Sequence, residues 1–426
     1  MVTVPPWCCA GFRMKILRAY KTELAPDNVQ RTMFLRHAGA ARWAYNWGLR
    51  QKIDAYKETG KSPSAIDLHR KLNKLKDMPK EDGGVPWMRQ SSKCAPQEAL
   101  RDLDKAFGNF FRRCKQGAAR KGFPRFKGRK RGIGGFRLTG AVRATETHIQ
   151  LPRIGEVRLK EHGYLPSGAK VLSAAVSEQA GRWFVSLQVE QQVPDPAPRP
   201  EHVVGVDVGV KALAVTSDGE VFDNPKALKA GQQRLRILQK AVSRKVKGSK
   251  NRKKAVAKVR RQHYRISNIR RDCLHKTSSA ITKLASTVVL ETLNVGGMLK
   301  NRRLSKAVSD ASMAELHRQI EYKARWQGVV VLKADRWFAS SKMCSGCGHI
   351  KQDLTLGERV FGCEACGEVI DRDLNATINL KNLAGSSPVS ACRPGGAGLG
   401  RKTQVKPPVG QELSADRGHV IPIGSV

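Results

Sequence analysis

Acidic residues are scarce in this chain of 426 residues. Asp and Glu number 36 against 78 Lys and Arg, leaving a net charge of +42 and a pI near 10.4. An imbalance of that size calls for a polyanionic partner. The basic residues run through nearly every segment, which suits a long nucleic acid held across several domains better than one small patch. No run of eighteen apolar residues occurs, so a membrane span is not expected. Disulfide spacing is also missing: six of the ten cysteines (Cys8, Cys9, Cys94, Cys114, Cys273, Cys392) are scattered, which favours a reducing, intracellular setting. The ten histidines are dispersed, and no Ser-His-Asp or Cys-His arrangement offers a nucleophile. The opening thirteen residues lack the charged front of a secretory signal. Met14 reads as the more natural start, with residues 1–13 as an extension.

The other four cysteines do have a pattern. Cys344-Ser-Gly-Cys347 and Cys363-Glu-Ala-Cys366 are two Cys-x-x-Cys knuckles separated by fifteen residues, a strong zinc signal. Asp371-Arg-Asp373 follows within a few residues and opens a helix carrying Asn375 and Asn379. A metal-stapled element placed just before an Asp-x-Asp suggests an insertion beside an active site.

The length gives a prior of about three domains. Met14 to Leu24 has strand character. Apolar residues at helical spacing predict helices from about Val29 to Tyr56, from Ser64 through Leu75, and from Pro96 to Cys114. Trp43 and Trp47 lie on a broad apolar face and read as core, while Tyr45 and Asn46 are candidates for touching nucleic acid. Arg120, Lys121, Arg125, Lys127 and Arg129 alternate with Phe123, Phe126 and glycines, a composition suited to phosphate contact with some base stacking. Short strand-like runs between Phe136 and Val193 predict a small antiparallel barrel or sheet, joined by the first strand. Pro194 to Pro200 is a stiff linker.

The second half alternates strands and helices. Val203 to Val210 is an apolar run interrupted by Asp207, a costly place for a carboxylate unless it binds something positive. Asp218-Gly219 turns the chain back. Two long basic helices follow, from about Pro225 to Lys247 and Asn251 to Leu284. Thr287 to Glu291 is a second apolar strand ending in an acid. A helix near Ser309 to Trp326 leads to a third strand, Gly328 to Leu332. Strand with hairpin, helix, strand, helix, strand, helix is the order of an RNase H-like fold, in which Asp207, Glu291 and Asp373 can converge. Converging carboxylates suit Mg²⁺, a hard oxygen-seeking ion, and two such ions about 4 Å apart can cleave a phosphodiester.

Gly205-Val-Asp207-Val-Gly209, Leu290-Glu291, Ser340-Ser-Lys-Met-Cys344-Ser-Gly-Cys347-Gly, Cys363-Glu-Ala-Cys366-Gly and Asp371-Arg-Asp-Leu-Asn-Ala376 together resemble the TnpB family. These are RNA-guided nucleases of insertion-sequence transposons, related to the type V CRISPR effectors. Tyr45-Asn46-Trp47 and Ala99 to Phe107 support the match, which covers roughly Met14 to Ala384. The resemblance implies a multidomain α+β and α/β chain: a small β-barrel wedge domain (residues 14–28 and 121–195) with a helical recognition lobe inserted (29–120). An RNase H-like (RuvC) nuclease domain (196–336 and 371–384) then carries an inserted zinc ribbon for target loading (337–370), and a tail (385–426) is expected to be mostly disordered.

The resemblance also implies Asp207, Glu291 and Asp373 as catalytic Mg²⁺ ligands, with Asp371 either supporting those ligands from behind or starting the helix, and Arg359 as a candidate for stabilising charge on the scissile phosphate. The expected partners are a guide RNA from the transposon end and double-stranded DNA with a short adjacent motif, with one protein per RNA in a prokaryotic cytoplasm. Two alternatives stand beside this reading: a compact CRISPR-type effector, separable by genomic context, and an RNA-guided repressor, which would be expected to lack one of the acids. A strand-exchange transposase would need a different carboxylate set or a Tyr or Ser nucleophile with its own motif.

Overall fold

The computed structural model describes residues 13–128, 134–163, 165, 169–197, 199–355 and 357–386. The expectations for residues 1–12, for Arg129 and for the tail beyond residue 386 lie outside them. The chain is mixed α and β and divides into two compact units, one up to Val193 and one from Pro194 onward.

The first unit opens with strand β1 (Arg13–Leu24) and helices α1 (Asn28–Thr59), α2 (Ala65–Asp77) and α3 (Cys94–Lys115), with a tight 3-10 turn at Pro86–Gln90 before the last. Six strands follow: β2 (Gly135–Thr139), β3 (Arg143–Ala144), β4 (His148–Leu151), β5 (Gly155–Arg158), β6 (Lys170–Gln179) and β7 (Arg182–Pro194). Where one barrel or sheet was the expectation, there are two sheets, in the orders β1-β7-β6-β2 and β3-β4-β5, bridged at Leu24 and Leu159. The helix ends are set by local chemistry. Asp27 and Gln30 form a reciprocal capping box at the start of α1, Ser64 and Asp67 do the same for α2, and Gly60 ends α1 in a left-handed conformation at φ 66°.

Helices α1 and α3 close on one another over Gly48, where a Cβ would lie 2.6 Å from the Leu100 side chain. Phe34, Leu49, Leu100 and Leu103 share one core with Leu138 and Val185 of the sheet. Buried His37 ties the layers: its Nε2 accepts from the Ser92 N–H, so Nδ1 carries the proton and donates to the Met33 carbonyl. Burial holds its pKa down, in keeping with a neutral ring. Trp43 and Trp47 differ from the core reading: they pack on the core from one side but keep an open face.

The second unit is built on strands β8 (Val203–Asp207), β9 (Ala212–Thr216), β10 (Val221–Asp223), β11 (Thr287–Leu290) and β12 (Val330–Lys333), ordered β10-β9-β8-β11-β12. The first three are antiparallel, and β11 runs parallel to both β8 and β12. Helices α4 (Ala227–Ser243) and α5 (Lys250–Leu284) lie between β10 and β11; α6 (Val295–Met298), α7 (Ser305–Ala311) and α8 (Met313–Gln327) lie between β11 and β12.

The single helix expected near Ser309 to Trp326 is instead broken at Ser312, which sits at φ 54°. Buried Asp310, just before the break, accepts from the Leu228 and Lys229 N–H groups and from Arg270, joining α7 to the start of α4 and to α5. The short hairpin β13 (Val360–Gly362) and β14 (Val369–Asp371) then runs straight into helix α9 (Arg372–Ser386).

Candidate active site

Strand β8 reads Val-Val-Gly-Val-Asp because its middle is covered on both faces. A Cβ at Gly205 would lie 2.0 Å from the Thr377 carbonyl oxygen and 2.7 Å from the Lys381 nitrogen, so α9 crosses the strand where a side chain is missing. That crossing brings the first turn of α9 to the end of β8. The parallel register pairs Leu290 with Val206, which sets Glu291 beside Asp207 where the two strands end. Asp207, Glu291 and Asp373 therefore come together from a central strand, its parallel neighbour and a late helix.

Electrostatics reports the same proximity. Loss of water around the packed Asp207 carboxyl, then the charges of Glu291 and Asp373, push its pKa up to about 7, although the residue retains some surface. Glu291 and Asp373 thus lie near enough to disfavour ionisation of Asp207, and carboxylate oxygens are the donors that a hard divalent cation takes. Arg372 also faces this cluster. It lies 3.5 Å from an Asp373 oxygen and lowers the Asp207 pKa, opposing part of the repulsion. Asp371 accepts from the Asp373 and Leu374 N–H groups at 2.9 and 3.1 Å, so it caps α9 rather than joining the cluster. The Arg359 side chain is exposed, and its carbonyl accepts from the Arg372 N–H across the β13–β14 pair.

The roles of several residues escaped the sequence reading. Ser340 is buried and donates its hydroxyl to Glu291. Asn379 donates to the Ser340 and Met343 carbonyls, while Asn375 donates to Met343 and accepts from the Ser345 N–H. Both asparagines are almost fully buried on one face of α9, so the segment entering the first knuckle is strapped to the helix that carries Asp373. Their spacing of four residues was the available signal, since it places both on one side of a helix.

The thiol sulfurs of Cys344, Cys347, Cys363 and Cys366 lie within 4.8 Å of one another, with two pairs at 3.5 and 3.6 Å. Four sulfurs about 2.3 Å from one ion would stand roughly 3.8 Å apart, so the set fits a tetrahedral metal. Backbone N–H groups, that of Cys366 first, stabilise the Cys363 thiolate and bring its pKa to about 6. Glu368 accepts from Cys344 and from the Gly346 N–H beside this cluster.

The residues expected to touch nucleic acid lie in the first unit. Tyr45 is buried, and the Lys127 ammonium sits 3.8 Å from its ring centroid. Asn46 is occupied structurally, exchanging two hydrogen bonds with the Lys127 backbone at 2.7 and 3.0 Å. Arg120, Lys121 and Arg125 are exposed along the irregular segment that this clamp holds against the helices.

Comparison with known proteins adds independent findings. Residues 186–302 match a family model described as a probable transposase. Residues 314–380 match one described as a Cas12f1-like TNB domain, and residues 14–61 one described as a helix-turn-helix domain. A protein of Streptomyces pristinaespiralis with the provisional name RNA-guided DNA endonuclease is 37% identical over 384 residues, covering 89% of this chain and 92% of that protein. The chain belongs to the TnpB family.

A TnpB relative of Escherichia coli K12, provisionally named RNA-guided DNA endonuclease InsQ, is 32% identical over 89% of this chain and 94% of its own length. The Cas12f1 endodeoxyribonuclease of Sulfoacidibacillus thermotolerans is more distant, 22% identical over 48% of this chain. In this TnpB chain the match to a helix-turn-helix model falls on β1 and one continuous helix of 32 residues. The match at residues 314–380 runs from α8 through the cysteine cluster into α9, so it includes Ser340, all four cysteines and Asp373.

Proposed function

We propose that this chain is an RNA-guided DNA endonuclease of a transposable element, with Asp207, Glu291 and Asp373 as the ligands of catalytic Mg²⁺. The observation that carries the reading is the approach of three carboxylates, from β8, the end of β11 and α9, at a site where burial first, and then the charges of Glu291 and Asp373, raise the Asp207 pKa to about 7. Bound there, divalent ions would lower the pKa of an attacking water and stabilise the leaving oxygen of a phosphodiester. The chain's own contribution is placement. Ser340 holds one oxygen of Glu291, Asp371 fixes the first turn of α9, and Arg372 supplies positive charge beside the acids. Exposed Arg359, just before β13, is in a position to meet a phosphate.

In this reading the five-stranded sheet with α9 is a RuvC-like, RNase H-like domain, and the four cysteines hold one structural Zn²⁺ in a target-loading ribbon. The first unit combines a wedge of two sheets with a helical recognition lobe. Guide RNA supplies sequence recognition by base pairing, a division of labour known for RNA-guided effectors. The net charge of +42 suits both nucleic acids. A CRISPR-type effector would use the same chemistry, but the Cas12f1 protein matches only about half of the chain.

The test is cleavage of target DNA by protein loaded with its guide RNA. Asp207→Ala, Glu291→Ala and Asp373→Ala should each abolish cutting while RNA binding persists. Cutting by Asp207→Ala at the parent rate would remove the triad from the mechanism.

A further inference from the structure

An open cleft of about 650 Å³ lies in the first unit, along the side of α1 where Trp43 and Trp47 border the core. Arg36, Gly39, Trp43, Trp47 and Arg50 form one stripe along α1, and Trp87, from the 3-10 turn, closes one side. The Trp43 and Trp47 rings lie nearly parallel, 9° apart with centroids at 5.9 Å, and Trp87 meets Trp43 edge-on. Trp87 is 41% exposed, and Phe126, under the Arg50 guanidinium, is 47% exposed. Among the described residues, no acidic side chain lines the cleft.

Gly39 gives a second, independent indication of a ligand. Glycine is a poor residue for the middle of a helix of 32 residues. At Gly48 on the same helix the absent side chain is explained by Leu100, which a Cβ would strike. At Gly39 a Cβ would meet nothing within 4 Å among the described residues, so no contact with them explains it. The floor of the cleft is bare at the point where a flat group could reach the helix backbone between Arg36 and Trp43.

We propose that this cleft stacks unpaired bases of single-stranded RNA. Exposed indole faces with arginines between them are the composition that holds unpaired bases and the adjoining phosphates, whereas paired bases keep their faces inside the duplex. The absence of acids and the chain's net charge of +42 oppose an acidic peptide less than a basic one, but neither peptide makes use of a bare, aromatic-walled floor. RNA is favoured over DNA because the proposed function requires this protein to hold RNA continuously, before any target is opened. The inference rests on that function, and binding measured without cleavage separates the two.

The experiment titrates the full chain with a fifteen-nucleotide oligoadenylate RNA, the matching oligodeoxyadenylate, and a blunt RNA duplex, following tryptophan fluorescence and affinity against salt. Oligoadenylate RNA should quench the fluorescence and bind more tightly than the DNA strand. Gly39→Leu, which fills open space, should keep or raise the melting temperature yet weaken RNA binding by roughly five- to hundredfold, the value of one stacked base. Trp87→Ala should weaken it similarly with the salt slope unchanged, whereas Arg36→Ala should lower the slope by about one. Asp207→Ala, in the other unit, should leave the RNA affinities and their salt slopes as they are. Parent-like RNA affinity in folded Gly39→Leu would overturn the proposal, as would tighter binding of the DNA strand or of the duplex.

Discussion

The Ser340 hydroxyl donates to the Glu291 carboxylate across 49 residues of sequence. Ser340 is itself fixed by Asn379, which holds its carbonyl, so the start of the cysteine-bearing segment and the candidate metal ligand are one connected unit. Groups that orient a metal ligand typically contribute 10- to 100-fold to metal affinity or activity. Ser340→Ala is therefore expected to lower cleavage about 10- to 100-fold and to raise the Mg²⁺ concentration needed for half-maximal rate. Ser340→Thr, which keeps the hydroxyl, should restore most of the loss. A uniform fall in rate with an unchanged Mg²⁺ dependence would assign Ser340 to folding alone.

Gly205 tests the crossing of β8 and α9. An added methyl would lie 2.0 Å from a backbone oxygen, which cannot swing aside as a side chain can. Gly205→Ala should destabilise the protein by at least about 1–3 kcal/mol, the usual cost of overpacking. Urea denaturation gives the stability, and cleavage should fall with it because Asp207 and Asp373 separate together.

The four cysteines should bind one zinc per chain, measured by elemental analysis. Their ligating form is the thiolate, so binding releases protons and weakens as pH falls. Cys344→Ser should lose the metal. Chelation of zinc should expose the β13–β14 hairpin to protease before the five-stranded sheet, since few apolar residues besides Phe361 pack there. Full zinc content in Cys344→Ser would remove that cysteine from the site.

The sequence shows some of these relationships and hides others for physical reasons. Asp207 stands out because a carboxylate among valines has few structural uses, and the cysteines stand out because ligand spacing is local. Ser340 gives no such sign: its partner is distant in sequence, and Ser341 beside it looks the same. The break at Ser312 is hidden as well, since serine has no strong preference for the left-handed backbone it adopts there. Trp43 and Trp47 read as core because helical spacing reports which residues share a face. It does not report whether another element covers that face.

Protonation of Asp207 gives the most direct check on the carboxylate cluster. Its folded pKa, about 7, lies above the value of 3.8 it takes when unperturbed. Between those values the folded protein keeps a proton that the unfolded chain has released. In metal-free protein, stability should therefore fall as pH rises from about 4 to 7, by on the order of a few kcal/mol, with the loss complete above the folded pKa. Asp207→Asn cannot ionise and should flatten that part of the profile, read as melting temperature against pH in chelator. Mg²⁺ must displace the same proton. Its apparent affinity should climb up to about tenfold per pH unit below 7 and level off above it. A metal affinity that is flat from pH 5.5 to 7 would mean that Asp207 is already ionised and that the three acids do not share one site.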